Sequence, residues 1–213
     1  METAKEFSVG MAIVDLVPVA CFAVASVILM RDLYNKFSKG AFALFAAGLI
    51  DIIAAGALKA VYKLLYAAGI CDFTPLNTMF FPVQSIGFLL AGLGIVAMIC
   101  HRQKSTALAA APPVFTGTFI FVAFMVAGLG MMDTVLSILS VKLNKPWLTV
   151  LFVISFCCSL CMGYLSTKNF DNAAMNWIAE GVNLLGQALF LLGSVLLHKN
   201  GLEALRLRNE VIQ

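Results

Sequence analysis

The sequence predicts an all-α integral membrane protein: a bundle of six transmembrane helices arranged as a 3+3 inverted repeat. Three observations carry that expectation. Of 213 residues, 62% are hydrophobic and 12% charged, with a mean hydropathy of +0.97, whereas charged residues make up about a quarter of an ordinary soluble domain. Six apolar runs each reach the roughly 20 residues needed to cross the hydrocarbon. Finally, Asp72, Asn77, Gln84, Gly87 and Gly94 recur 99 residues later as Asp171, Asn176, Asn183, Gly186 and Gly193.

Taken in order, the first span runs from Phe7 to Met30 and ends at the polar Arg31-Asp32-Leu33-Tyr34-Asn35-Lys36. The second starts after Lys39 and continues through Tyr66 to Gly69, longer than a bilayer requires, so it must tilt or project into water. The third covers Thr78 to Cys100 and stops at His101-Arg102-Gln103-Lys104. An Ala-rich stretch with Pro112-Pro113 leads to the fourth, Val114 to Val141. Asn144-Lys145-Pro146 reads as a cap and first-turn proline that open the fifth, Trp147 to Leu165. The sixth spans Asn176 to His198. All connections are short, so residues 1–213 read as one transmembrane domain with repeats at 7–101 and 114–198. The start, Met-Glu-Thr-Ala-Lys-Glu-Phe, lacks the basic region and short apolar core of a cleavable signal peptide. The expected location is the cell membrane, with multiple passes.

An odd number of spans per copy makes a directly joined second copy enter from the opposite face, which is the source of the inversion. Such repeats are a mark of transporter architecture. The same topology divides the basic residues evenly. Arg31, Lys36, Lys39, Arg102, Lys104 and Lys168 fall on one face, and Lys5, Lys142, Lys145, Lys199, Arg206 and Arg208 on the other, so the positive-inside rule selects no orientation. Lys59 and Lys63 sit where they could snorkel to the second face. Against duplication stands the second span, where Asp51, Lys59 and Lys63 meet Val150, Cys158 and Met162 at the same 99-residue offset.

Ionisable groups inside spans carry the functional signal, because a charge near the bilayer centre costs several kcal/mol unless it faces a partner or water. Asp15, Asp51, Asp133 and Glu180 qualify, with Gln84, Asn183 and Gln187 as neutral company. Asp51 is twelve residues beyond Lys39, roughly 18 Å along the helix, close to the midplane. The expected binding site places Asp15, Asp51, Gln84 and Asp133 on one side and Glu180 and Asn183 on the other. Structural alternatives exist for each: Asp51 could pair within its own bundle, and Asp15 could bond backbone freed by the nearby Pro18.

Other features read as packing. Gly87, Gly92, Gly94, Gly186 and Gly193 allow close helix approach. Cys158-Ser-Leu-Cys161 has metal-motif spacing, but no second cysteine pair or neighbouring histidine completes a site. His101 and His198 end corresponding spans, and inversion would separate them by about 30 Å, too far to share a haem. No metal or cofactor is therefore expected. Signatures for nucleotide binding, zinc hydrolysis and a nucleophile elbow are absent, and the scattered basic residues exclude a nucleic-acid surface. Residues 199–213 alternate Leu202, Leu205, Leu207 and Ile212 with Glu203, Arg206, Arg208 and Glu210, suggesting an amphipathic tail helix on the membrane.

The leading functional expectation is a small transporter or channel-like protein, proton-coupled through the buried carboxylates, that takes a small solute, ion or lipid ligand from the bilayer or its surroundings. Two alternatives use the same residues differently: an intramembrane lipid-modifying enzyme, or a sensor or partner subunit without turnover. A homodimer or a membrane partner would suit the small-residue faces.

Overall fold

The computed structural model describes residues 8–100, 118–165 and 173–207. These form helices α1 (Val9–Val14), α2 (Leu16–Leu33), α3 (Lys39–Ala67), α4 (Thr74–Cys100), α5 (Thr118–Lys142), α6 (Leu148–Leu165) and α7 (Ala173–Lys199), with a 3₁₀ turn at Tyr34–Lys36 after α2. All regular structure among the described residues is helical. Six segments are long and apolar enough to cross a membrane, α1 and α2 together making the first. The chain is a polytopic membrane protein.

Local chemistry sets several boundaries. Ser38 caps α3 by accepting the Ala41 N–H at 3.3 Å, and Gly69, at φ +67°, ends it. The break between α1 and α2 falls at Asp15, three residues before Pro18. Pro18 lacks the N–H that would bond the Val14 carbonyl, and its ring crowds that carbonyl, so the helix yields there. Asn144 adopts φ +56° and closes α5, with Lys145 N donating to Ser140 O at 2.9 Å. It is the carboxyl-terminal cap of the fourth span rather than the start of the fifth, and α6 begins only at Leu148. The described part of the tail also departs from expectation, while residues 208–213 lie outside the described residues. Residues 201–204 are turns and 205–207 irregular, while Leu202 and Leu207 are buried in the main core.

Helix direction is the main correction to the sequence reading. Lys63 near the end of α3 pairs with Asp15 at the start of the first span and with Glu180 near the start of α7. Phe22 stacks on Phe190, and Asp32 at the end of α2 meets His198 at the end of α7. The sixth span is therefore parallel to the first. In the same way Phe81 meets Phe121, and a side chain on Gly92 would strike Gly128 and Met131, so α4 and α5 also run parallel. Spans one, three, four and six all start at one end, here the near end, and finish at the far end. Cys100 and Thr118 accordingly lie at opposite ends. The two groups of three helices point the same way; they are not inverted.

Three consequences follow. Arg31, Lys36, Lys39, Lys142, Lys145, Lys199 and Arg206 all gather at the far end, so the even division of basic residues expected from inversion does not hold. His198 lies at the same end as the terminus of α4, not across the membrane from it. And the disagreement in the second span resolves into a change of register. Gly87 packs on Gly48 and Asp51 where Gly186 packs on Ser155 and Cys158, and Gly94 packs on Phe45 where Gly193 packs on Phe152. Corresponding contacts in α3 and α6 are thus 107 residues apart, whereas the positions in α4 and α7 are 99 apart. Asp51 matches Cys158, and Phe45 matches another phenylalanine.

The core occupies the far half of the bundle. Phe22, Leu29, Phe45, Leu49, Phe88, Ile95, Met132, Leu136, Phe152 and Phe190 are all buried in it. α3 and α4 approach so closely that a Cβ on Gly94 would lie 2.6 Å from the Phe45 backbone nitrogen. Small residues allow this approach, and dispersion rewards it where lipid supplies no hydrophobic drive.

Candidate solute cavity

The near half of the bundle is hollow. A cavity of about 710 Å³ opens between α2, α3, α4, α5, α6 and α7, within the usual range for small-molecule sites. Asn77 is exposed at its rim. Its floor is apolar, formed by Phe22, Phe88 and Leu129, with Phe190 stacked beneath Phe22. From Asn77 to Phe88 is eleven residues of helix, a depth of about 16 Å, or roughly half the hydrocarbon.

Its polar lining follows from helical period. On α7, Asn176, Glu180, Asn183 and Gln187 form one stripe at i, i+4, i+7 and i+11. On α4, Asn77, Phe81, Gln84 and Phe88 form a stripe with the same spacing. The 99-residue correspondence therefore brings Asn77 with Asn176 and Gln84 with Asn183 into a single cavity. At the two remaining levels, Glu180 and Gln187 on α7 correspond to Phe81 and Phe88 on α4. One wall is amide and acid, the other amide and aromatic.

Charge concentrates along the α1–α3–α7 side. Lys63 Nζ lies 2.5 Å from Asp15 Oδ2 and 3.2 Å from Glu180 Oε1, and all three side chains are about 6% exposed. An ion triad this deep is compensated internally, because isolated buried charges would cost several kcal/mol each. Compensation is incomplete: Asp15 Oδ1 and Glu180 Oε2 are buried and receive no donor from a third described residue, the two carboxyl groups meeting each other instead. Lys59, one turn before Lys63, also lines the cavity, with its Nζ 4.4 Å above the Phe80 ring. The break at Asp15 directs that carboxylate into the same space.

Of the six residues expected at the site, Asp15, Gln84, Glu180 and Asn183 line the cavity. Asp51 and Asp133 are not among its lining residues. Asp51 is partly buried beside Gly87 on the α3–α4 contact. Asp133 is 5% exposed, one turn deeper in α5 than the floor residue Leu129, and neither of its carboxylate oxygens has a hydrogen-bond partner among the described residues. Sequence reasoning missed Lys59 and Lys63 as site residues by placing them at the membrane surface. The acids had an available signal: Asp15 and Glu180 each lie about as far from the near end as Lys63.

The far end is closed by polar contacts. His198 Nδ1 lies 2.8 Å from Asp32 Oδ2, the Arg31 guanidinium is 3.0 Å from the same ring, and Lys36 Nζ donates to the Glu203 carbonyl at 2.7 Å. Asp32 is fully buried beneath them. At the near end, Asp72 accepts from Tyr62 Oη at 3.1 Å and Thr74 Oγ1 at 3.2 Å, tying α3 to the start of α4.

Among the comparisons with known proteins, no family model, no curated protein and no solved structure matches the chain.

Proposed function

We propose that this protein is a small membrane transporter, built as two parallel three-helix halves around a solute site lined by Asp15, Gln84, Glu180 and Asn183. The observation that carries the proposal is the dead-ended cavity. It carries Asp15, Glu180, Lys59 and Lys63 on its walls, the exposed Asn77 marks its near rim, and an aromatic floor and the Arg31–Asp32–His198 cluster lie between it and the far end. Transport needs a site reachable from one side at a time, and corresponding helices such as α4 and α7 supply two elements that can rock against each other. The basic residues at the far end favour a cytoplasmic location for that end by the positive-inside rule, so the cavity opens away from the cytoplasm. Asp133, buried outside the cavity, is the candidate for proton coupling.

The test is uptake into proteoliposomes from a defined pool of amino acids, sugars, nucleosides and polyamines, with the lumen read by mass spectrometry. At least one solute is expected to accumulate above protein-free vesicles, and Asn183→Leu is expected to reduce it at least tenfold. Binding without accumulation would support the sensor alternative and overturn transport. Turnover of the vesicle lipid itself would support the enzyme.

A further inference from the structure

We infer that the cavity recognises a zwitterion, an amino acid with an uncharged apolar side chain. The inference rests on the solute-site reading above and names its substrate class. It comes from the valences that the cavity leaves open.

Four charged side chains line it, Asp15 and Glu180 against Lys59 and Lys63, so the set balances. Three of them close on each other around the Lys63 ammonium. What remains is one cation and two carboxylate oxygens. Lys59 makes no ion pair among the described residues and rests on the face of Phe80. Glu180 Oε2 and Asp15 Oδ1 are buried with no donor from any other described residue, the two carboxyl groups meeting each other beside Lys63. Because Lys59 and Lys63 are four residues apart on one helical face, the open cation and open acceptors sit about one turn from each other.

A ligand that satisfies both must present an acceptor anion to Lys59 and a cationic or strongly donating group to Glu180 and Asp15, at short separation. A carboxylate and an ammonium on one carbon do this, through charge-assisted hydrogen bonds roughly twice as strong as neutral ones. They also leave the balanced cavity balanced. A simple anion or simple cation would add an uncompensated charge in a half-buried site. A polyol would fill the space yet bring no anion into direct contact with Lys59. Opposite the polar stripe, Phe81, Phe88 and Met125 provide an apolar wall for a side chain.

The experiment uses the full-length protein in lipid nanodiscs. Thermal stabilisation is measured with each of the twenty amino acids, glucose, a nucleoside, and, for each stabilising amino acid, its decarboxylated amine and its deaminated acid. One or more apolar amino acids should stabilise, and both truncated analogues should bind at least tenfold more weakly. Lys59→Met should weaken the amino acid to the level of its amine, while Lys59→Arg keeps the preference. Equal binding of amine and amino acid, or stabilisation by glucose or the nucleoside alone, overturns the zwitterion and leaves the solute cavity standing. If no compound in the panel stabilises and none in the uptake pool accumulates, both readings fall. A poorly folded Lys59→Met does not rescue the proposal, because the analogue series on the wild-type protein decides it.

Discussion

Asp15 and Glu180, from the first and sixth spans, are held by a single ammonium group, that of Lys63. The triad links three helices along one wall of the cavity, and its members depend on one another. Lys63→Met removes the ion-pair partner of two buried carboxylates and should destabilise the protein by about 3–5 kcal/mol, the usual cost of breaking a buried pair. Adding Asp15→Asn and Glu180→Gln to the same chain should recover most of that loss. Unfolding midpoints in detergent read both effects, and an unchanged midpoint for Lys63→Met alone would contradict the arrangement.

Parallel and inverted arrangements differ on the side of the membrane assigned to two loops. In the parallel bundle Asn35 and Lys145 both lie at the far end, and Cys71 at the near end. Against a background lacking the other cysteines, a membrane-impermeant maleimide should label Cys71 on intact cells. Asn35→Cys and Lys145→Cys should each react only after permeabilisation. Opposite behaviour of the two introduced cysteines would restore the inverted topology.

Close packing of α3 on α4 depends on glycine. A side chain at Gly48 would collide with the Gly87 carbonyl and the Ala91 backbone nitrogen, neither of which can rotate away. Gly48→Val should cost at least about 1–3 kcal/mol, as overpacking does. Gly40, in the first turn of α3, has nothing within 4 Å of such a side chain; Gly40→Ala should be neutral or stabilising by up to about 1 kcal/mol. Paired thermal unfolding curves distinguish the two sites.

Closure at the far end rests on Asp32, a buried acceptor for His198 and Arg31. Asp32→Ala should cost about 1.5–3 kcal/mol, the range for hydrogen bonds to charged groups. It should also raise the reactivity of a Phe88→Cys floor residue toward reagents applied from the far side. Unchanged reactivity would mean that the aromatic floor seals that end by itself.

Much of the bundle was legible because its signal is local. A run of apolar residues is a span wherever it sits, so composition and run length located all six helices to within a few residues. Glu180 and Asn183 were equally readable, because an ionisable or amide group inside an apolar span stands out by residue type alone. Direction was not legible in this way. Counting spans assigned alternate faces in turn, and the parallel pairing of α4 with α5 breaks that alternation through contacts such as Phe81 with Phe121. Once the alternation fails, inferences built on it fail as well: the even charge division and the separation of Gln84 from Asn183. Asp51 and Asp133 show the complementary limit. Depth along a helix places a carboxylate near the midplane, but the face it presents depends on the neighbour's register.

By itself the sequence determined a polytopic helical membrane protein, its span positions, and the 99-residue correspondence between α4 and α7, because hydrophobicity and helical period are properties of contiguous residues. Tertiary structure alone decided that the halves run parallel, that α3 and α6 correspond at 107 residues, and that Lys63 binds Asp15 and Glu180. Those relationships join residues on different helices, 48 positions apart for Asp15 and Lys63 and 117 for Lys63 and Glu180, and only the packing of whole helices fixes which faces meet.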